Sequence, residues 1–518
     1  MQGRDGGQRQ FLDVESVAGH LLPAGSVFGF LAEHRHRLFP DEGFADLFSS
    51  ERGRPSIPAD VIASVLVLQT IHNLSDRQTA EAVTFDLRWK AACGFAVTDT
   101  SFHHSVLTYW RRRLAASDRP HRIFEAVAEV IAQTGVLSGK RRRAVDSTIV
   151  DDAVARQDTV TQLIAQIRRV ARTVPASVDL VAGLSGYDYS MPGKPDIAWD
   201  DPPAREELIT SLVNDALTVL AGLQDVDLDQ KQSEAVALLA LVAGQDVEPA
   251  EGSDGTDGRW RIARKVAPDR VISTVDPEAR HAHKSREKKQ DGFKAHIVIE
   301  PDTGLVTAAV LTKATGPENS DSARGLELVA ADTSVGDGHV EVLGDSAYGS
   351  GELLTALQDA GHVALIKPMP LNRAVAGGFT IDDFSIDHQE RTATCPAGQT
   401  RPISPKGKVT FGAICSGCPL RERCTKAKDG RKMNIGVHDQ IKRAHRVKAT
   451  EPEFQSVYRQ HRPMVERSIA WMTRDARRVP YRGVVKNNNW WATRAAGINL
   501  KRRLNLGLVT QNGTWVTA

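Results

Sequence analysis

The 518-residue chain has no apolar stretch long enough to cross a bilayer. Its longest, over residues 61–71, is broken by Ser64, Gln69 and Thr70. It falls short of the ~20 apolar residues a membrane helix needs and reads as a buried helix. The opening MQGRDGGQRQF has no apolar h-region, so no export signal is read there, and a reducing, cytoplasmic compartment is expected. Cysteine is scarce, five in all, which excludes a disulfide-built scaffold and leaves metal ligation or core packing as the uses for thiols. Internal repeats and low-complexity segments are absent, which excludes solenoids and long disordered tracts. Nor is there an excess of one charge: the formal net charge is +2, so any nucleic-acid binding must come from local positive faces.

What remains is a soluble, multidomain composition, 41% hydrophobic and 25% charged. Residues 1–50 form an extension without clear periodicity. Residues 51–140 carry helical patterns near 58–72, 75–84 and 101–115, with Ser75 as the N-cap of the second. The third, SFHHSVLTYWRRRL, joins aromatics to a basic end at Arg111, Arg112 and Arg113. That suits a helix-turn-helix-like DNA-binding bundle, or equally a dimerisation bundle with solvated arginines.

At Arg141 the texture changes. RRRAVDSTIV reads as a buried strand, and long helical patterns near 152–173 and 204–245 follow it. FKAHIVIE (293–300) and LVTAAVLT (305–312) make a hairpin across PDTG. A helix near 318–332, a strand at 339–345, a helix near 350–361 and a strand at 362–368 complete an α/β layout. The expected organisation is a catalytic core over 141–370 with a helical insert at about 152–250. A cysteine-bearing insert at 371–439, the rest of the core at 440–506 and a tail at 507–518 follow. Helical patterns run near 452–474 and 487–504.

Asp146 in AVDST and Asp345 in VEVLGDSAYGS each sit toward the C-terminal part of an apolar strand, before small or hydroxyl residues. Alone, each is an ordinary turn or cap residue. Together they stand at the edge where open α/β sheets form sites, and two neighbouring aspartates call for a cation between them. The third acid, Glu466, lies in YRQHRPMVERSIAWMTRDARR, with Arg462 and Arg459 one and two turns back and Pro463 expected to kink or restart the helix. Between residues 442 and 503, Lys and Arg outnumber Asp and Glu roughly four to one, which suits a phosphate-facing surface. A salt-bridged surface helix is the bland alternative. Three carboxylates from two strands and a helix can cage a pair of hard cations, Mg²⁺ or Mn²⁺, about 4 Å apart, for in-line displacement at phosphorus.

With these motifs in order, the chain resembles bacterial insertion-sequence transposases of the DDE type, from about Pro55 to Leu506. RPSIPADVIASVLVLQ, LSDRQTAEAV and the FHHS helix look like the N-terminal domain of the InsH-type group. AVDST, STVDPEARHAHKSREKKQDGFKAHI, GDSAYGS, RPMVERSIAWM and YRGVVKNNNWWATRAAGINLKRRL look like the successive core motifs. The nearest subgroup looks like insertion-sequence family eleven-eighty-two. The resemblance implies a ribonuclease-H-like core with Asp146, Asp345 and Glu466 as metal ligands. It also implies that Lys294, His296 and Tyr348 line the DNA side of the site, though His296 and Tyr348 read equally well as packing residues. One departure stands out. Relatives often place Tyr, Arg, Glu and Lys at set intervals on the last helix. Here Arg462 keeps its place, but Arg459 fills the tyrosine slot with Tyr458 one place early, and Thr473 fills the lysine slot with Arg474 one place late.

Cys93 stands alone in WKAACGF and reads as a core residue. Cys395, Cys415, Cys418 and Cys424 fall within thirty residues, and the C-x-x-C pair offers one knuckle of a structural tetrahedral Zn²⁺ site. A redox pair and unrelated buried thiols are the alternatives. The segment lacks periodicity and is expected to have no core of its own. Lys406, Lys408, Arg421, Arg423 and Lys426 are near enough in sequence to touch DNA or to be merely solvated.

The expected activity is hydrolysis at the ends of a mobile element, followed by attack of the freed 3′-hydroxyl on target DNA. Arg459, Arg462, Arg474 and Arg482 would position phosphates. Partners would be double-stranded DNA, as terminal inverted repeats and target, and a second copy in a homodimer, with no membrane and a nucleoid-associated location. Rival readings are a nuclease that does not join strands, a domesticated DNA-binding regulator, and a zinc-dependent adaptor.

Overall fold

The computed structural model describes residues 1–4, 13–48, 53–265, 267, 269–283, 289–335 and 338–517. Residues 284–288 of the STVDPEARHAHKSREKKQDGFKAHI motif lie outside the described set. Among the described residues no helix is long and apolar enough to cross a membrane.

The β-branched runs pair into a six-stranded sheet of β1 (Arg142–Asp151), β2 (Arg280–His283), β3 (Lys289–Glu300), β4 (Leu305–Lys313), β5 (Glu341–Gly344) and β6 (Val363–Ile366). β3 runs antiparallel to β1 and β4, whereas β1, β5 and β6 are parallel, giving the order β4–β3–β1–β5–β6. β2 shares the outer edge of β3 with β4. The β3–β4 turn is organised from within: the buried Glu300 carboxylate accepts from the amides of Asp302 (2.9 Å) and Thr303 (2.8 Å) and from the Thr303 hydroxyl (2.6 Å). Gly304 closes it at φ +72°, a conformation that costs glycine nothing. Arg143, at the start of β1, is fully buried and ion-paired with Asp332.

Alternation along the strands buries both faces. Ala144, Ile297, Ile299 and Leu343 meet the helices Pro452–Thr473 and Val484–Asn505 through Val465, Met472 and Trp491. On the other face, Val145, Val298 and Val342 meet the helices Asp321–Ala330 and Gly351–Asp359 through Leu328, Leu353 and Leu357. The Val484–Asn505 helix also covers the edge strand β4. Asn488 and Asn499 accept from the amides of Leu311 (2.9 Å) and Val306 (2.8 Å), and Asn499 donates to the Val306 carbonyl (2.7 Å). The asparagines of KNNNWW…INL thus take ladder bonds that an exposed edge would offer to another chain.

Between β1 and β2, the helices Thr159–Thr173, Pro202–Gly222 and Gln230–Gln245 close around their own core, including Leu163, Ile167, Leu212 and Leu239. The expected run over 204–245 is thus two helices, the second opened by a capping box at Asp229 and Gln232. The N-terminal helices share a further core, in which Ala59–His72 is the central element, buried from Ala59 to Thr70. Ser75 caps the next helix as expected, reciprocated by Gln78.

Four features differ from the sequence reading. A helix at Val27–Leu38 was hidden in the unreadable extension. The tail is a hairpin, Leu508–Gln511 with Thr514–Thr517, whose Trp515 ring packs on Phe30 and His34 under Arg37. The helix does not restart at Pro463 but continues as one 22-residue element. Pro463 is exposed, so the Arg459 carbonyl it cannot serve lies on the solvent side. Last, the cysteine segment has a small core of its own, in which Phe384, Ala393, Val409 and Phe411 are buried.

Candidate active site

Parallel pairing of β1 with β5 sets Ala144 opposite Leu343. Asp146 and Asp345 each lie two residues beyond that pair. They therefore stand at one level and on one face, where β5 ends and β1 runs on paired with β3 alone. Each carboxylate uses an oxygen on its own backbone. Asp146 Oδ1 accepts from the Ser147 amide (2.8 Å), and Asp345 Oδ1 from the Ala347 amide (2.9 Å), capping the short turn Ser346–Tyr348. The other Asp146 oxygen faces Arg462, with Nη2 to Oδ2 at 3.1 Å. Burial pushes the Asp146 pKa up, and the charge of Asp345 adds to the effect while Arg462 opposes it. Asp146 thus senses the charge of Asp345, with one guanidinium beside it.

Arg462 is buried and also donates to the Val145 carbonyl (2.9 Å). Tyr458, Arg462 and Glu466 follow at intervals of four and share one stripe of their helix. Tyr458 is half-buried beside Arg462, its phenol pushed up by burial and by Asp345 and Asp146. The tyrosine that sits one place early in sequence therefore faces the aspartates. Arg459, which fills the expected slot, is exposed. The structure brings Asp146, Asp345, Arg462 and Tyr458 together. It leaves Glu466 one turn further along the stripe with its side chain exposed. Among the described residues no group of three or more His, Cys, Asp or Glu side chains is set close enough to hold a metal ion as placed.

Lys294, His296 and Tyr348 meet on the opposite face of the sheet. His296 and Tyr348 are buried, at 0% and 1% exposure, so both are packing residues and neither reaches the surface. Tyr348 fits because Gly325 and Gly344 leave room: a Cβ on either would approach its side chain to 2.9 or 3.1 Å. Lys294 is ion-paired with Asp321 (2.6 Å), whose other oxygen lies 3.7 Å from His296 Nδ1. Asp321 is a site residue the sequence reading missed. It is the first residue of a helix with Ser320 as N-cap, a position where an acid is ordinary.

Burial pulls the His296 pKa down to about 3, against Asp321, which raises it. Below pH 6.5 the unfolded chain takes up a proton that the folded imidazole refuses, so stability falls as pH drops from 6.5 toward 3. A single group contributes a slope of at most about 1.4 kcal/mol per pH unit. Urea unfolding between pH 7 and pH 5 should show a shallower loss for His296→Gln than for the wild type. Parallel curves would remove His296 as the source.

Two family models match this chain: a transposase DDE domain over residues 394–504, and a transposase domain (DUF772) over residues 21–113. The chain is a DDE transposase of the insertion-sequence kind. No curated protein and no solved structure matches it. The first match carries the four clustered cysteines and the helix of Arg462 and Glu466. The second carries the helices from Val27–Leu38 to Ser105–Ala116. Asp146 and Asp345 fall in neither, and their pairing rests on the sheet.

The transposase uses several of its expected DNA-contacting arginines internally. Arg111 pairs with Asp76 and lies over the Tyr481 ring, 4.6 Å from its centroid. Arg113 donates to the Leu47 carbonyl (3.0 Å) and covers Phe48. Arg112, Arg474 and Arg482 are exposed. Cys395, Cys415, Cys418 and Cys424 line one small cavity of about 20 Å³, shared with Phe384, Phe411 and Leu420. No disulfide joins them, and Cys424 feels the other three thiols electrostatically. Cys93 is fully buried in the N-terminal core, its thiol pushed up to about 12 by burial.

Proposed function

We propose that this transposase cuts DNA at the ends of a mobile element with divalent metal ions and joins the freed 3′-hydroxyl to target DNA. The observation that carries the reading is the placement of Asp146 and Asp345 two residues beyond the same β1–β5 pair, with Arg462 and Tyr458 on the helix that crosses them. The strand order β4–β3–β1–β5–β6, three antiparallel strands followed by two parallel ones, supports a ribonuclease-H-like core. The donor set fits a hard cation, because Asp345 raises the cost of ionising Asp146 and a third acid lies on the same helical stripe as Arg462. Asp146, Asp345 and Glu466 would hold Mg²⁺ or Mn²⁺, two ions per site. Bound there, the metal supplies Lewis-acid stabilisation of the attacking and leaving oxygens. Arg462 neutralises Asp146 and fixes the strand through the Val145 carbonyl. Arg459, Arg474, Arg482 and Arg112 are the exposed cations that fit phosphates. Lys294, His296 and Tyr348 support the site from below.

The same reading places the chain in the InsH-type, family eleven-eighty-two-like subgroup. It would work as a homodimer on the cytoplasmic, nucleoid-bound DNA of a bacterium, with the domain limits set out above. Strand transfer with pre-cut element ends is the deciding experiment. Joined product supports transposition, whereas cleavage of intact ends with no joining would make the protein a nuclease.

We propose that the four cysteines hold one structural zinc ion. All four line one small cavity, which supports this; as placed, no three of them are close enough to hold an ion, so binding would draw the thiolates together, and four protein ligands leave no open position for substrate. Metal analysis should find about one zinc per chain, lost in Cys415→Ser/Cys418→Ser. Because the segment has its own apolar cluster, losing the metal should expose residues 371–439 to protease without unfolding the sheet. A folded, reduced preparation with no zinc would end this claim.

A further inference from the structure

Where the N-terminal helices meet the last two helices, a cavity of about 230 Å³ opens to solvent, lined by Ile71, Trp471, Arg474, Arg494, Lys501 and Arg502. Four basic side chains face it against one acid, Asp475. Arg494 is 1% exposed and donates to the carbonyls of Thr70, Trp471, Met472 and Arg474. Among the described residues it has no carboxylate within ion-pair distance. Burial pulls its pKa down to about 10, against the charge of Asp475, which raises it. A buried cation without a counter-charge is unusual, and the carbonyl ends of two helices satisfy it only in part. Around the cavity, Arg474 and Lys501 are exposed, and neither side chain makes an ion pair among the described residues. Arg502 is fixed by the Thr303 carbonyl and lies 5.2 Å from the centroid of the Trp471 ring. A concave wall of oriented positive charge, backed by an indole, is complementary to an anion of phosphate size.

We propose that this cavity is a seat for the phosphodiester backbone of bound DNA, held by Arg474, Lys501 and Arg502. The inference rests on the reading of the chain as a DNA-processing transposase and adds a place on the molecule to it. Arg474 follows Glu466 by eight residues, about 12 Å along a helix axis. That equals three to four base-pair steps at ~3.4 Å, so the seat would hold backbone a few nucleotides from the bond being cut. One wall comes from the helix Ala59–His72, and Asn73 donates to the Asp475 carbonyl. DNA in the seat would therefore bridge the N-terminal helices and the helix of Glu466.

The test is fluorescence anisotropy of the full chain with a fluorescein-labelled duplex of about 30 base pairs and arbitrary sequence, because phosphate contacts are sequence-independent. Titrations would run from about 50 to 200 mM KCl. Arg474→Ala/Lys501→Ala should weaken binding about tenfold and reduce the slope of log affinity against log salt by about two. Arg205→Ala/Lys231→Ala removes two exposed charges from the helices between β1 and β2 and should leave the slope unchanged. Equal changes in both pairs would mean bulk charge and overturn the proposal. An unchanged slope in the Arg474/Lys501 variant, while the wild type binds, would overturn the seat and leave the DNA reading standing. A wild type that does not bind duplex would overturn both. Since the replaced side chains are exposed, unchanged melting confirms that folding is not what is being read.

Discussion

Asp345→Asn is expected to lower cleavage of element-end DNA roughly a thousandfold, with little change in duplex affinity. Asparagine keeps the size of the side chain and the oxygen that caps the Ser346–Tyr348 turn, so the local fold survives. What it removes is one of two neighbouring negative charges, Asp345 just past the end of β5 and Asp146 midway along β1. Metal held there would contribute several kcal/mol to the transition state, and each 1.36 kcal/mol is a factor of ten in rate. Glu466→Gln should lose as much cleavage with no loss of stability, since the side chain is exposed. Asp146→Asn is the less clean variant. It also strips the carboxylate from Arg462, whose side chain is only 7% exposed, and an unpaired buried cation destabilises the fold. Nicking of a plasmid carrying the element end, beside anisotropy on the same DNA, separates chemistry from binding. Cleavage by Asp345→Asn within tenfold of wild type would remove that residue from the site.

Asp345 was legible because a strand end announces itself: an apolar run followed by small residues places the next polar side chain where the strand stops, whereas Asp146 lies in mid-strand and β1 runs on to Asp151. Helix limits were legible where caps act locally, as at Ser75 with Gln78. Relations across the chain were not. Tyr458 looked displaced when positions were counted along a line, yet at four residues from Arg462 it lies on the same stripe, which only the helical repeat reveals. Asp321 lies 27 residues from its partner Lys294 and could not be told from a helix-start acid. Arg111 and Arg113 looked like a phosphate-binding run. They proved to be packed through Asp76, Tyr481 and the Leu47 carbonyl, partners that folding alone brings near. The cysteine segment hid its core because its strands are three residues long, too short for any period to show.

Arg494→Met is expected to destabilise the transposase by roughly 3–5 kcal/mol and to loosen the N-terminal helices from the core. The guanidinium closes the C-terminal ends of two helices at once: Thr70 belongs to Ala59–His72, and Trp471 and Met472 to Pro452–Thr473. Those carbonyls have no partner within their own helices, and the negative ends of both helix dipoles fall on the same cation. Methionine fills much of the volume but leaves several buried carbonyls bare, at about 1–3 kcal/mol each. Lysine should recover only part of the loss, because its three donors spread from one point and lack the flat fork that reaches separate acceptors. Denaturant melts give the energy. Trypsin cutting at Lys140 and Arg141, between the last N-terminal helix and β1, should run faster in the variant if the contact holds the two parts together. A melt and a digestion pattern matching the wild type would show that Ile71, Gly497 and the surrounding apolar contacts dock the helices without Arg494.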